Sequence, residues 1–187
     1  MEIRIVKTPT LTTERLLLKP LEAEDALQIQ TLYPHWEIVR YMVASVPWPY
    51  PSDGAETYVN NVALPDMENG VAWFWTIRCK DNPDQLIGLI CLYDVEDNNR
   101  GFWLAPEWQG QGYMREASIA ATDFWFNTLN KPLLRAPKAA VNQRSQRIST
   151  SSGMRLVRTE KKAYVSGELD SELWEITREE WNALQRS

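Results

Sequence analysis

Trp108-Gln-Gly-Gln-Gly-Tyr-Met-Arg115 stands between a short apolar strand and a long amphipathic helix, and its two glycines decide how the surrounding chain is read. Glycines at such a junction let the backbone turn so that successive amides point at one spot, and the helix that follows adds its own unpaired N–H groups and dipole. A site of that kind suits an anion. An exposed helix end supplies only about 0.3–1 kcal/mol, and a partly buried one up to about 2, so several amides have to act together. A nucleoside-triphosphate loop requires Lys and then Ser or Thr after its last glycine, where this chain has Tyr113 and Met114. A dinucleotide fingerprint requires glycine where Arg115 stands and a strand from a βαβ unit, whereas the strand here ends a meander. Taken alone, the motif leaves anion binding and a plain tight turn both open.

Upstream, Arg100–Leu104 reads as the last strand of that meander. Before it, Val71–Cys79 alternates Trp73, Trp75, Ile77 and Cys79 against Ala72, Phe74, Thr76 and Arg78, a period of two, and Leu86–Tyr93 is a continuous apolar strand. The polar stretch 80–85 between them predicts a turn centred near Pro83, which makes a hairpin. Earlier still come a strand over Arg15–Pro20, a helix over Glu22–Tyr33, and a proline-rich loop over Trp36–Pro51 with one helical turn near Ile38–Met42. A second helix is expected from Asp53, boxed by Glu56, to just before Pro65.

Downstream of the glycines, Ala117, Ala120, Ala121, Phe124 and Thr128 share one helix face. Leu133–Val141 reads as a strand, Asn142 as the N-cap of a helix over Gln143–Ser152, and Gly153 as its C-terminal stop. Val157–Val165 and Glu172–Ile176 close the sheet around Ser166-Gly167, and Thr177 with Glu180 boxes a terminal helix. The order predicts an α/β (α+β) layer fold with a single mixed, mostly antiparallel sheet and helices on both faces.

A length of 187 residues predicts one domain over 1–187, and 44% hydrophobic with 24% charged residues is ordinary globular usage. No apolar run approaches the roughly 18 residues of a membrane span, and the first residues lack the apolar core of a signal peptide, so a cytoplasmic protein without membrane contact is expected. One histidine and two cysteines cannot assemble the common metal-ligand sets, so no metal is expected. A net charge of −5 speaks against nucleic acid as a partner. A Ser-His-Asp hydrolase would have to use His35, and no G-x-S-x-G elbow occurs. Cys79 and Cys91 read as two free core thiols.

The loop Gln109-x-x-Gly112-x-Met114 after a meander strand, the preceding Trp103-Leu-Ala-Pro-Glu-Trp108, and Asn142-x-x-Ser145 running into Ser152-Gly153-Met154 together resemble the GCN5-related N-acetyltransferases (GNAT). The opening Thr13-Glu-Arg-Leu-Leu-Leu-Lys-Pro20 with Glu24-Asp25 resembles the branch that holds the ribosomal-protein N-terminal acetyltransferases. The resemblance implies acetyl-coenzyme A as donor and a sheet splayed between its fourth and fifth strands. The amides of Gln109, Gly110, Gln111, Gly112, Tyr113 and Met114 would hold the pyrophosphate, and the backbone of Phe102, Trp103 and Leu104 would pair with the pantetheine arm. Asn142 would bond the pantetheine region and Ser145 would lie near the thiol. Arg144 and Arg147, in the basic run Lys131 to Arg158, read either as part of a solvated face or, being close in sequence to these motifs, as contacts to the phosphates at the adenosine end.

In the reaction so implied, an amine attacks the thioester directly, backbone N–H groups at a bulged strand face the oxyanion, and coenzyme A leaves as a thiol, with Ser145 as its proton donor. Many relatives carry a tyrosine in the last helix as general acid, and 143–152 has none. Glu160, Tyr164, Glu168 and Asp170 lie near the acceptor side in this family; spacing singles out none as a base, and Tyr164 serves as a polar wall or relay. Trp36, Trp48, Tyr50 and Trp73 are candidates for lining the acceptor pocket, with core packing the alternative. The acceptor is a primary amine, either a protein N-terminus or a small molecule, and the resemblance admits a homodimer. The competing reading is a non-catalytic acyl-coenzyme A sensor on the same fold.

Overall fold

The computed structural model describes residues 4–186, so Met1 to Ile3 and Ser187, the ends of the expected 1–187 unit, lie outside them. A two-residue strand β1 (Leu11–Thr12) and β2 (Leu16–Pro20) precede a helical turn and α1 (Ala26–Leu32). The expected turn in the proline-rich loop comes two residues early, as α2 (Trp36–Val39), because the His35 ring caps it by accepting from the Glu37 N–H at 3.2 Å. The histidine is therefore a local cap.

The second helix departs from expectation at both ends. The Asp53 side chain makes no cap; Gln30 takes that place and accepts from the Ala55 N–H at 2.9 Å. Nor does Pro65 end the run: α3 (Gly54–Tyr58) widens into a π turn over Val59–Ala63, and Pro65 then sits in the first turn of α4 (Leu64–Glu68). Proline is tolerated at a first turn, where an N–H is dispensable.

The meander follows as β3 (Ala72–Cys79), β4 (Asn82–Tyr93) and β5 (Arg100–Leu104). Its first turn is tighter than predicted, with Cys79 opposite Asn82, so Pro83 lies inside β4 and two register shifts near Arg78 absorb it. Cys79 and Cys91 are both free, although only Cys91 is buried. Then come α5 (Tyr113–Asp123) with a π turn over Phe124–Thr128, β6 (Leu133–Ala139), α6 (Gln143–Ser151), β7 (Arg155–Tyr164), β8 (Gly167–Thr177) and α7 (Arg178–Gln185). Thr177 caps α7 as expected, accepting from the Glu180 N–H at 3.2 Å.

All ladders are antiparallel, in the orders β1-β2-β3-β4-β5 and β6-β8-β7. The expected sheet is thus present in two parts, and the extra strand β1 moves the expected splay to β5 and β6. These two strands meet only at one end. There the Asn99 N–H donates to the Arg135 carbonyl at 2.7 Å, and the Asn99 Oδ1 accepts from the Arg135 N–H at 2.8 Å. Beyond that hinge β5 pairs only with β4, and β6 only with β8. Pro137 in β6 agrees with this, since a residue without an N–H belongs on an edge strand.

The five-stranded sheet is covered on both faces. Leu16, Leu18, Trp73, Trp75 and Ile77 pack under α5 and α7 with Phe124, Trp125 and Trp181. Phe74, Leu86, Cys91 and Trp103 pack under α1, α3 and α4. Alternation along β3 therefore sends its residues into two cores rather than into core and solvent. Trp73 belongs to the α5 side, where its ring meets those of Phe124 and Trp125 and its Nε1 donates to the Val6 carbonyl at 2.9 Å.

Candidate active site

The 108–115 stretch turns as its glycines require. Gly110 and Gly112 have φ of 79° and 83°, and Gly112 is the N-cap of α5. Among the described residues no acceptor is paired with the backbone N–H groups of Gly110 to Arg115. Arg15 braces the loop from outside: its Nη1 donates to the Gln111 carbonyl at 3.0 Å, its Nε to Glu116 at 2.8 Å, and its guanidinium lies 4.3 Å from the Tyr113 ring centre. Burial alone would raise the Glu116 carboxyl, but hydrogen bonds from Thr13 and from the backbone and side chain of Arg15 outweigh it and hold the group below its ordinary range. Arg15 and Glu116 were missed by spacing, because they lie about a hundred residues apart.

A cavity of about 1670 Å³ runs from this loop through the gap between β5 and β6 to the helices α1–α3. Small-ligand sites usually occupy about 300–1,000 Å³, so the space suits two molecules. Of the expected cofactor residues, Phe102, Trp103, Leu104, Gln109, Gly110, Gly112, Tyr113, Met114, Asn142 and Ser145 all line it. Gln111 does not, since its side chain folds back to the Glu107 carbonyl at 3.3 Å. Asn142 caps α6 by accepting from the Ser145 N–H at 3.3 Å, which fixes Ser145 in the first turn beside the gap. Arg144 and Arg147 also line the cavity. The β4–β5 ladder runs in unbroken register, so no bulge in β5 marks an oxyanion donor; register shifts occur in the β3–β4 and β7–β8 ladders.

The other half of the cavity is aromatic, but not through the tryptophans the sequence suggested. Trp73 is in the core described above, and Trp36 and Trp48 pair with each other at 5.6 Å on the surface, outside the cavity lining. Tyr33, Tyr50, Tyr58, Tyr93 and Trp103 line it instead, with Tyr33 5.3 Å from both Tyr50 and Trp103. Burial pushes the hydroxyls of Tyr33 and Tyr93 far up, that of Tyr58 to about 12, and the Cys91 thiol, which donates to the Tyr93 oxygen, also to about 12. All four stay neutral at physiological pH. Tyr164 lines the cavity with its hydroxyl donating to Ser171 at 2.8 Å, and burial raises it too. Glu160, Glu168 and Asp170 lie on the exposed β7–β8 hairpin away from the lining, Asp170 paired with Lys161 at 2.7 Å. The carboxylates that do line the cavity are Glu37 and Asp53.

The residues present fit a long anionic cofactor. Free loop amides match a pyrophosphate, two facing strand edges match an extended amide-bearing arm, and a buried Nε of Arg100 has no partner in the gap. A split sheet with a glycine loop of free amides at one mouth of the cavity and an aromatic chamber at the other defines a fold class that can hold a long anionic molecule and a second ligand end to end. The comparisons specify it further: the acetyltransferase (GNAT) domain family matches residues 15–155, and the chain belongs to that family. It is an N-acetyltransferase, with acetyl-coenzyme A as its acetyl donor.

A Bacillus subtilis (strain 168) protein described as the uncharacterized N-acetyltransferase YnaD is 26% identical over 177 residues, covering 92% of this chain and 99% of that one. Two solved structures share the fold. RimL, a ribosomal L7/L12 alpha-N-protein acetyltransferase in complex with coenzyme A, has a TM-score of 0.77 at 15% identity, covering 90% of this chain and 98% of its own. A spermidine N-acetyltransferase from Vibrio cholerae with coenzyme A and spermine has a TM-score of 0.74 at 20% identity, with the same coverage. Among the described residues no helix is long and apolar enough to cross a membrane, and no group of three or more His, Cys, Asp or Glu could hold a metal.

Proposed function

We propose that the chain, acting as a single domain in the cytoplasm, moves the acetyl group of acetyl-coenzyme A onto a primary amine by direct attack. The observation that carries the reading is the continuity of one cavity from the free amides of the loop, past Ser145, to the tyrosine-lined chamber. Bound acetyl-coenzyme A supplies an activated thioester. Gln109 to Met114 grip its diphosphate, the edges of β5 and β6 receive its arm, and Asn142 holds Ser145 in place to give a proton to the departing sulfur.

The acceptor enters beside Tyr33, Tyr50 and Trp103, and Glu37 and Asp53 favour a cationic amine as it approaches. No buried carboxylate is needed as a strong base if the acceptor is an α-amine with a pKa of about 7.7–8.0, which is partly neutral near pH 7; a lysine-like amine near 10.4 has to shed its proton first. This favours a protein or peptide N-terminus over a polyamine, although both kinds of acceptor occur among proteins of this fold.

The test is thiol release with three acceptors: a short peptide with a free N-terminus, spermidine, and a free amino acid. Release is expected to be fastest with the peptide and to fall about 100-fold in Ser145→Ala, the scale of one general acid, with a smaller change in KM for acetyl-coenzyme A. Release no faster than background with every amine would contradict the reading.

A further inference from the structure

Among the described residues, two cationic side chains in the gap between the sheets have no carboxylate in ion-pair contact. Arg100, on β5, is 3% exposed; its Nη1 donates to Thr122 at 2.9 Å, its Nη2 faces the Met154 sulfur at 3.5 Å, and its Nε is buried and unpaired. Lys138, on β6, is 6% exposed, and its Nζ donates to the Ser145 carbonyl at 3.2 Å, to the Ser145 Oγ at 3.3 Å, and to the Ser149 Oγ. Both line the cavity. Among the described residues, Glu172, on β8, is the acid acting on Lys138; it lies beyond ion-pair contact and its carboxylate already accepts from Gln146 and Trp174.

Burying two like charges that feel each other is costly unless something negative answers them. Tying α6 to β6 does not require a charge: a neutral polar side chain could bridge Ser145 and Ser149. The anion that the reaction creates at this point is the sulfur of coenzyme A.

We propose that Lys138, held against the Ser145 hydroxyl, is the positive charge that answers the negative charge growing on the coenzyme A sulfur, with Arg100 strengthening the field. This rests on the acetyl-transfer reading above. As the amine nitrogen bonds to the acetyl carbon and the C–S bond breaks, its electron pair goes to sulfur. Ser145, polarised by the Lys138 Nζ, gives its hydroxyl proton to that sulfur and regains one from solvent, while Lys138 keeps its charge. The proton lost by the attacking nitrogen goes to solvent. Burial and the Arg100 charge pull the Lys138 ammonium well below its ordinary value, while Glu172 pulls it partly back. A thiolate placed beside it opposes that pull and favours the charged form.

The test reads the bound thiol itself. The far-ultraviolet thiolate absorbance of the protein–coenzyme A complex is titrated from pH 6 to 9, with the complex of desulfo-coenzyme A, which lacks the sulfur, as blank. In the unaltered protein the bound thiol is expected to ionise at least one pH unit below free coenzyme A, a tenfold stabilisation of the thiolate. Lys138→Met should erase that shift and Lys138→Arg should keep it, while both bind desulfo-coenzyme A within about threefold of the unaltered protein. An unshifted thiol in the unaltered protein overturns the proposal without needing any variant to fold, and so does a shift that survives in Lys138→Met. Failure of the unaltered protein to bind desulfo-coenzyme A would instead remove the acetyl-transfer reading beneath it.

Discussion

Arg15 and Glu116 join the turn between the first two strands to the helix that opens the anion loop, with Nε and Oε2 2.8 Å apart. The pair sets the loop rather than the ligand, because Arg15 spends its Nη1 on the Gln111 carbonyl. Glu116→Gln should weaken acetyl-coenzyme A binding by about 3–10-fold, the scale of one ordinary hydrogen bond, because the amide keeps part of the brace. The sign of the pH effect follows from the depressed carboxyl. Its contribution to stability is complete above the unfolded value of about 4.3 and is lost as pH falls through the lower folded value. The melting-temperature gap between the two proteins should therefore be widest near neutrality and close in acid, as thermal melts across pH would reveal.

Gly110 and Gly112 share a left-handed backbone but not their surroundings. A Cβ at Gly110 meets nothing within 4 Å, whereas one at Gly112 comes within 3.3 Å of the Arg15 guanidinium. Each alanine substitution should cost about 1–2 kcal/mol from φ alone. Calorimetry should find Gly112→Ala the worse binder, since it also displaces the brace.

Asp25 and Arg78 form a buried ion pair at 2.7 Å, with Arg78 also donating to Thr76 and Pro83, and Asp25 accepting from the Glu22 N–H. Removing one partner strands a buried charge, so Asp25→Ala should lose about 3–5 kcal/mol. Urea midpoints should show the double change Asp25→Leu with Arg78→Met recovering much of that loss.

Trp73 and Trp103 face opposite sides of the sheet. Trp73→Ala should cost about 3–5 kcal/mol of stability and leave the amine KM of the folded enzyme nearly unchanged. Trp103→Ala removes a wall of the acceptor chamber beside Tyr33 and should raise that KM about tenfold. Steady-state kinetics with parallel unfolding curves separate the two.

This contrast shows where sequence reading stops. The loop at 108–115, the Asn142 cap and the Thr177 box were legible because each is a local backbone requirement written in adjacent residues. Period-two alternation along β3 was legible as well, but with both faces buried it cannot say which face lies towards the cavity, and of the two readings open for Trp73 the structure gives core packing. Pro83 and Pro65 each suggested a break that a register shift or a π turn absorbed. Lys138 is a charged side chain of the kind that normally stays in water; only the packing of α6 over β6 buries it. Its neighbour Pro137 was the available signal that this strand keeps a free edge.

The central claim is that one loop and one split sheet hold acetyl-coenzyme A. Calorimetric titration of the intact protein and of Gly112→Trp tests it most directly. The account predicts micromolar, one-to-one binding by the intact protein and its loss in the variant, whose indole would fill the loop while unfolding curves show the fold retained. No heat of binding from the intact protein, or equal affinity in the variant, would contradict it.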